Sequence, residues 1–356
     1  KVVEKKMIHN QVRCTLTSRN ERLIIGAIVL LGLALRLYGI NSPLLDSHQV
    51  RQVQTAMLTR NLYEDNMDIL HTRLDIFGNV PGHFILEFPL MHSITALLYY
   101  FFGAHEVLGR LVSVGFSLGA MLLMYGLARH FLSQTGSIAA LLLYSFSPMN
   151  VYFSRAFMPE SSMMFFLIGS LYFLLEWLKK KSLWLFVVAM LFAALTGLAK
   201  PNACIVFIPL LTAWYLKYKR SLVKRYDFWF YMLLTTTPLI LWGVYTYYFN
   251  SKISFCTFGY GESWLEIIMS RGGIVSHWIS LKFYKFVGGS ITLLLLTPLG
   301  FLGAIVGIFF VQRKEWTAVL YSWLGILIIY FYVLAGPNSG HIYYHLVLLP
   351  LAVIFV

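Results

Sequence analysis

Charged residues are scarce in this chain, 12% of 356 positions where a soluble domain carries about 25%. Against 58% hydrophobic and 17% aromatic residues, that leaves too little polar surface to cover a globule in water. Lipid is therefore part of the solvent. Cysteine is nearly absent too: Cys14, Cys204 and Cys256 are all there are, which excludes a disulfide framework and a cysteine metal site. No fixed-period repeat, Gly/Ser linker or low-complexity tract divides the sequence, so residues 1–356 read as one membrane domain. The pairs Gly272–Gly273 and Gly288–Gly289 complete no phosphate-cradling motif, and no nucleotide-binding domain is visible.

What is present is a series of ten long apolar stretches: Leu23–Ile40, Leu108–Ala128, Ser137–Phe153, Ser161–Leu178, Leu183–Leu198, Ala203–Leu216, Trp229–Phe249, Ser290–Val311, Thr317–Leu334 and Ile342–Val356. A shorter one, Phe88–Phe102, falls between the first two. Several carry no charge over roughly 17–20 residues, the length a helix needs to cross the hydrocarbon core. Leu23–Leu35 is not a signal peptide, because no small-residue cleavage site follows and further spans do. The predicted fold class is an all-α polytopic membrane helical bundle. The chain starts at Lys1 rather than Met and ends inside an apolar stretch, so the expectation is a piece of a longer chain.

The basic residues set the orientation. With a cytoplasmic N-terminus and Phe88–Phe102 as a partial or surface-lying helix, one side collects Lys1–Arg22, Arg129, Lys179–Lys181, Lys217–Arg225 and Arg313–Lys314. That is 17 of the 28 lysines and arginines, and a net charge of +12 against +1 on the other side. A full crossing at Phe88–Phe102 would turn Lys179–Lys181 and Lys217–Arg225 outward. The basic balance is thus explained by topology in the cell (inner) membrane, with no nucleic-acid partner.

Two outer segments are long, residues 41–89 and 250–289. Within the first, Ser47–Tyr63 places Val50, Val53, Met57 and Leu58 at helical spacing, with Arg51, Gln54 and Arg60 opposite. This predicts an outer amphipathic helix lying along the membrane surface, with Asp46 as its N-cap. The second mixes aromatics with Glu262, Glu266, Arg271, His277, Lys282 and Lys285. Loops this long are more often functional than idle. Trp264, Trp278 and Tyr284 belong either to a sugar-stacking surface or to the interfacial aromatic belt.

Four charged residues stand where charge is costly. Asp46 follows the first span, Glu160 and Arg155 flank the end of another, and Lys200 ends a third. Each alone reads as an interfacial anchor. At one boundary, two carboxylates and two cations suit chemistry on a phosphate-bearing lipid: cations hold the phosphate, and a carboxylate handles a proton.

An Asp a few residues after the first span, opening an amphipathic outer helix, resembles the start of the first outer loop of the protein O-mannosyltransferases. It is shared by the lipid A aminoarabinose transferases and related polyprenyl-phosphate glycosyltransferases of the C fold. Four further blocks resemble that superfamily in order: Glu87–Ser113, Leu141–Phe166, Leu195–Leu211 and His341–Ile354. The resemblance implies a C-type glycosyltransferase fold. It implies Asp46 as the general base, Glu160 as the acid shaping the acceptor or catalytic site, and Lys200 beside the donor phosphate, with Arg51 and Arg155 as further phosphate-side cations.

The implied reaction is a single inverting displacement at the anomeric carbon, with a polyprenyl-phosphate sugar as donor. The acceptor hydroxyl belongs to a protein, lipid or polysaccharide, and the site faces outward, among membrane lipids. Where many relatives have Asp-Glu, this chain has Asp46–Ser47–His48. Where they often have Arg, it has His341 or His345. His48, Arg271, His341 and His345 are accordingly candidates for the donor or acceptor loop. His341 and His345 share metal-ligand spacing but lack a third ligand, so no metal site is assigned. No cofactor is required, although a divalent metal is compatible with the chemistry. Two other classes fit the composition. One is a lipid-linked sugar flippase, which would need midplane ionisable sites and usually a repeat; the other is a catalytically silent subunit on the same fold.

Overall fold

The structure is a computed structural model, and it describes residues 17–75, 82–83, 85, 87–251, 277–311 and 315–356. Among the described residues the chain is helical, and its only strand-like pairing is an isolated bridge between Arg73 and His83. The helices are α1 (Ser18–Leu37), α2 (Gln49–Glu64), α3 (Leu90–Phe102), α4 (Glu106–Ala128), α5 (Gln134–Phe146), α6 (Pro148–Phe153), α7 (Glu160–Lys180) and α8 (Leu183–Ala199). They continue as α9 (Phe207–Tyr218), α10 (Tyr226–Ser251), α11 (Leu281–Gly289), α12 (Thr297–Phe310), α13 (Thr317–Val333), α14 (Ala335–Gly340) and α15 (Leu349–Phe355). An all-α membrane protein is what the apolar series implied.

The expected spans are not all single straight helices. Among the described residues only α4, α7 and α10 are long and apolar enough to cross alone; α11, continued by a π-helical segment Ser290–Leu295, and α12 make a fourth candidate bent by 103°. The breaks fall beside prolines, which remove a backbone donor and disfavour helix in the preceding residue. Ser147–Pro148 splits the predicted span Ser137–Phe153 into α5 and α6. Pro201 opens a 3-10 turn ahead of α9. Thr297, just before Pro298, takes φ +63° where the bent pair turns. The stretch Ile342–Val356 begins as a 3-10 turn over 342–348 and becomes helical only at Leu349–Pro350. In α1 the uncharged run between Arg22 and Arg36 is 13 residues.

Helix α7 is the axis of the bundle, packed between α4 and α8. Its apolar positions are buried nearly all round, as expected of a helix in the interior of a bundle. Gly119 and Gly126 on α4 let it approach. A Cβ there would lie 2.6 Å from the Phe165 ring and 2.7 Å from the Tyr172 ring of α7, the small-residue seam common between membrane helices. The charges at its ends suit the helix dipole, with Glu160 in the first turn and Lys179 and Lys180 in the last.

Two buried arginines fix the segment between α1 and α2. Arg36 donates to Ser117 Oγ at 2.8 Å, to the Gly32 carbonyl at 3.0 Å and to the Ser145 carbonyl at 3.1 Å. Arg110 of α4 donates to the carbonyls of Gly39, Ile40 and Pro43 at 2.9, 3.3 and 3.1 Å. The bonds from Arg110 tie the chain after α1 to α4 and so set where Asp46 emerges.

Helix α2 forms, but with a different start and face than its pattern suggested. Its N-cap position is His48, held left-handed at φ 57°, ψ 37° with no side-chain cap. Asp46 is occupied elsewhere, so the capping expectation fails. The buried face is Gln52, Thr55, Leu58, Thr59, Asn61 and Leu62, turned against α3. Val50 and Val53 are exposed instead, because the polar face finds hydrogen-bond partners inside the protein. Helix α3, expected as a partial or surface-lying segment, is 13 residues long, about 20 Å and well short of the hydrocarbon thickness.

Candidate active site

Of the residues singled out in the sequence, His48, Glu160 and Lys200 gather where α2 and α7 begin and α8 ends. Lys200, the residue closing α8, reaches across to α7, and its ammonium forms an ion pair with Glu160 Oε1. Both side chains are buried, at 8% and 1% exposure. The second carboxylate oxygen, Glu160 Oε2, is buried with no hydrogen-bond partner. The Lys200 ammonium also lies 4.4 Å from the ring centre of Tyr343 and 5.3 Å from that of Tyr344, within cation–π range.

Asp46 is half-buried on the loop leading into α2. Its Oδ1 accepts from Gln52 Nε2. Gln52 is fully buried and holds several groups at once. It donates to the Ser47 carbonyl at 3.0 Å and to the Tyr152 hydroxyl at 3.3 Å, and its own oxygen accepts from the Phe157 backbone at 3.3 Å. Tyr152 in turn donates to the Ser47 carbonyl at 2.8 Å. The Asp46 loop is thereby tied to α6 and to the strand of chain that runs into α7.

His48 connects the two halves. Its left-handed backbone turns the ring away from α2, to 4.9 Å from Tyr343, 5.7 Å from Phe153 and 6.1 Å from His341, centre to centre. Tyr343 is thus touched by both His48 and Lys200. Burial pushes the His48 imidazole below its ordinary pKa, Lys200 adds to that push, and Glu160 opposes it.

A third carboxylate, Glu87, was not picked out from the sequence. Arg51 forms an ion pair with its Oε1, and both side chains are largely buried. Burial alone would raise the Glu87 carboxyl, but Arg51, Lys200 and His92 together hold it below the usual range. The signal was in plain view, since Glu87 opens the block EFPLMH, but only the structure shows that it meets Arg51 36 residues away.

The remaining candidates divide. His341 is exposed and stacks on Tyr343 and Tyr344 at 5.2 and 5.9 Å. His345 does not join the site. It is fully buried, held by Ser290 Oγ at 2.8 Å and the Asn338 carbonyl at 3.0 Å, because a 3-10 turn rather than an α-helix separates it from His341. Arg155 does not pair with Glu160. Its guanidinium donates to the Tyr38 carbonyl and lies 5.7 Å over the Tyr152 ring. Arg271 lies outside the described residues.

Among the described residues no three of His, Cys, Asp and Glu come together as metal ligands. Asp46 and Glu160 are engaged by Gln52 and Lys200. Two apolar cavities, of about 180 and 160 Å³, lie away from this cluster along α12 and α15. They are lined by side chains such as Leu295, Leu296, Val353 and Phe355 and carry none of its charges.

Buried ion pairs, an orphaned carboxylate oxygen and a half-exposed aspartate at one end of a helical bundle define a membrane-embedded polar site. Residues 87–248 match the family model described as dolichyl-phosphate-mannose-protein mannosyltransferase. The structure resembles that of ArnT from Cupriavidus metallidurans bound to undecaprenyl phosphate, with a TM-score of 0.67 at 14% identity, covering 93% of this chain and 59% of that one. It also resembles the archaeal oligosaccharyltransferase AglB from Archaeoglobus fulgidus, in complex with an inhibitory peptide and a dolichol-phosphate, with a TM-score of 0.56 at 12% identity, covering 93% of this chain and 50% of that one. The chain therefore spans between half and three fifths of the length of these proteins. Comparison with curated protein sequences gives no match. The fold is that of the C-type glycosyltransferases, as the sequence blocks implied.

Proposed function

We propose that this chain transfers a sugar from a polyprenyl-phosphate donor to an acceptor hydroxyl on a protein, lipid or polysaccharide, at the outer face of the cell membrane and with inversion. The observation that carries the reading is the buried Glu160–Lys200 pair beside the Tyr343 ring, against which His48, two residues along the chain from Asp46, also packs. Asp46 is held by Gln52 at one oxygen and takes the acceptor's proton as the acceptor oxygen bonds to the anomeric carbon. The bond from that carbon to the phosphate oxygen breaks, and the lipid phosphate leaves as a monoester. Lys200 faces the charge that develops on the phosphate. Glu160, with one oxygen lacking a partner, accepts a hydrogen bond from a substrate hydroxyl.

The test is Asp46→Asn, which keeps the size of the side chain and removes the base. Incubated with lipid-linked sugars, the variant should release lipid phosphate about 100-fold or more slowly than wild type, while still binding polyprenyl phosphate. Wild-type turnover in this variant would remove Asp46 from the mechanism, and no turnover in either protein would favour a silent subunit.

A further inference from the structure

The described cations beside the Asp46 loop are already engaged. Lys200 is matched by Glu160 and Arg51 by Glu87, whereas Arg110 and Arg155 are turned to backbone carbonyls between Tyr38 and Pro43. A phosphate that enters as a singly charged diester and departs as a monoester, with a second ionisation, adds negative charge to a cluster whose cations are already engaged. Two histidines there carry side chains that titrate near neutral pH: His341 is exposed, whereas His48 is half-buried against Tyr343.

Resting on the reading that a polyprenyl phosphate binds here, we infer that His48 is the switchable cation of the phosphate subsite, neutral when the site is empty and imidazolium when the phosphate is bound. Its geometry supports this. The residue is held in a left-handed conformation that a non-glycine side chain rarely adopts and that costs about 1–3 kcal/mol unless its surroundings impose it. The effect is to aim the ring at Tyr343, which also carries the Lys200 ammonium.

The groups around His48 set its resting charge. Tyr343 and His341 face it from the turn after α14, Phe153 from α6, Glu160 from α7 and Lys200 from the end of α8. Asp46 and Arg51 flank it along the chain. Burial and Lys200 outweigh Glu160, so the empty site holds a neutral ring. An arriving phosphate supplies the opposite charge, and the ring takes a proton from solvent. No bond other than N–H forms or breaks.

Proton uptake on binding means that affinity rises as pH falls, by about tenfold for each pKa unit gained. The experiment measures polyprenyl phosphate binding to the full chain in lipid nanodiscs between about pH 5.5 and 8, for wild type, His48→Gln and His48→Arg. The His48→Gln variant reports the titration of the lipid phosphate alone. The ratio of wild-type to His48→Gln affinity should rise about tenfold from the alkaline to the acid end, and His48→Arg should bind tightly across the range. A ratio that stays flat while all three proteins bind overturns the role of His48 and leaves the proposed function standing. If wild type binds at no pH, the phosphate site itself falls, and the inference with it. Should His48→Gln fail to fold, a wild-type affinity that tracks His48→Arg at every pH equally overturns it.

Discussion

Helix α7 carries a carboxylate–cation pair at each end, and the two are built differently. At its start, Glu160 meets Lys200 from 40 residues away, with both side chains buried. Near its other end, Glu176 meets Lys180 one turn on, where the lysine side chain is 66% exposed. There the carboxylate also contacts His130 Nε2 at 3.1 Å. The second pair is local and wet, the kind that i,i+4 spacing yields on many helices at small net gain. The first takes two charges out of water, a cost that mutual attraction often fails to offset, and it leaves Glu160 Oε2 without a partner. Stability does not explain such an arrangement. Under the proposed function, a substrate hydroxyl completes the hydrogen bonding of that oxygen.

The largest expected effect comes from breaking the buried pair on one side. Lys200→Met leaves the Glu160 carboxylate buried without its cation and should destabilise the protein by about 3–5 kcal/mol, read as a fall in Tm in detergent. Adding Glu160→Gln to the same chain removes the stranded charge. The double variant should recover most of that loss yet remain unable to transfer sugar. Equal instability in single and double variants would assign the loss to packing around the Lys200 side chain rather than to a stranded charge.

A middle effect belongs to His130, in the turn after α4. Its Nδ1 lies 2.8 Å from the Lys179 ammonium while Nε2 faces Glu176. Burial first, then Lys179, pushes this imidazole down to about 4, with Glu176 opposing. The folded state then holds fewer protons than the unfolded chain between about pH 4 and the ordinary histidine value of about 6.5. Stability should therefore fall as pH drops through that window, by about 1–3 kcal/mol at its acid end. His130→Gln should flatten this part of the curve, as followed by unfolding midpoints across pH. A pH dependence unchanged in the variant would assign the effect to carboxylates elsewhere.

Much of this was legible before any fold was known, for physical reasons that can be named. Apolar runs and sparse charge specified a helical membrane bundle, because few other structures satisfy backbone groups in lipid. Asp46, Glu160 and Lys200 stood out because carboxylates and cations together fall at one predicted boundary, where each alone would read as an anchor. What the sequence concealed were the pairings across distance. Arg51 reads as an available phosphate ligand until Glu87 is seen beside it. His345 reads as the twin of His341 until the 3-10 turn rotates it into the core. Gln52, which ties Asp46 and Ser47 to Tyr152 and Phe157, has no charge or motif to announce it. Helix breaks at Ser147–Pro148 and Thr297–Pro298 could be read from proline alone; the 103° bend at the second could not.

The smallest expected effect sharpens the comparison from its quiet side. Lys180 is exposed, its partner Glu176 keeps a second contact to His130, and nothing buried is stranded when it is cut back. Lys180→Ala should therefore leave Tm, donor binding and transfer at wild-type values, because exposed ion pairs gain little over solvation and lose side-chain entropy on forming. Measured beside Lys200→Met in one membrane preparation, it serves as the matched control: the same charge removed from a lysine paired with the same helix. A loss of transfer in Lys180→Ala without a loss of Tm would show that the two ends of α7 are coupled along its length, and the site would then extend through the bundle rather than stop at Glu160.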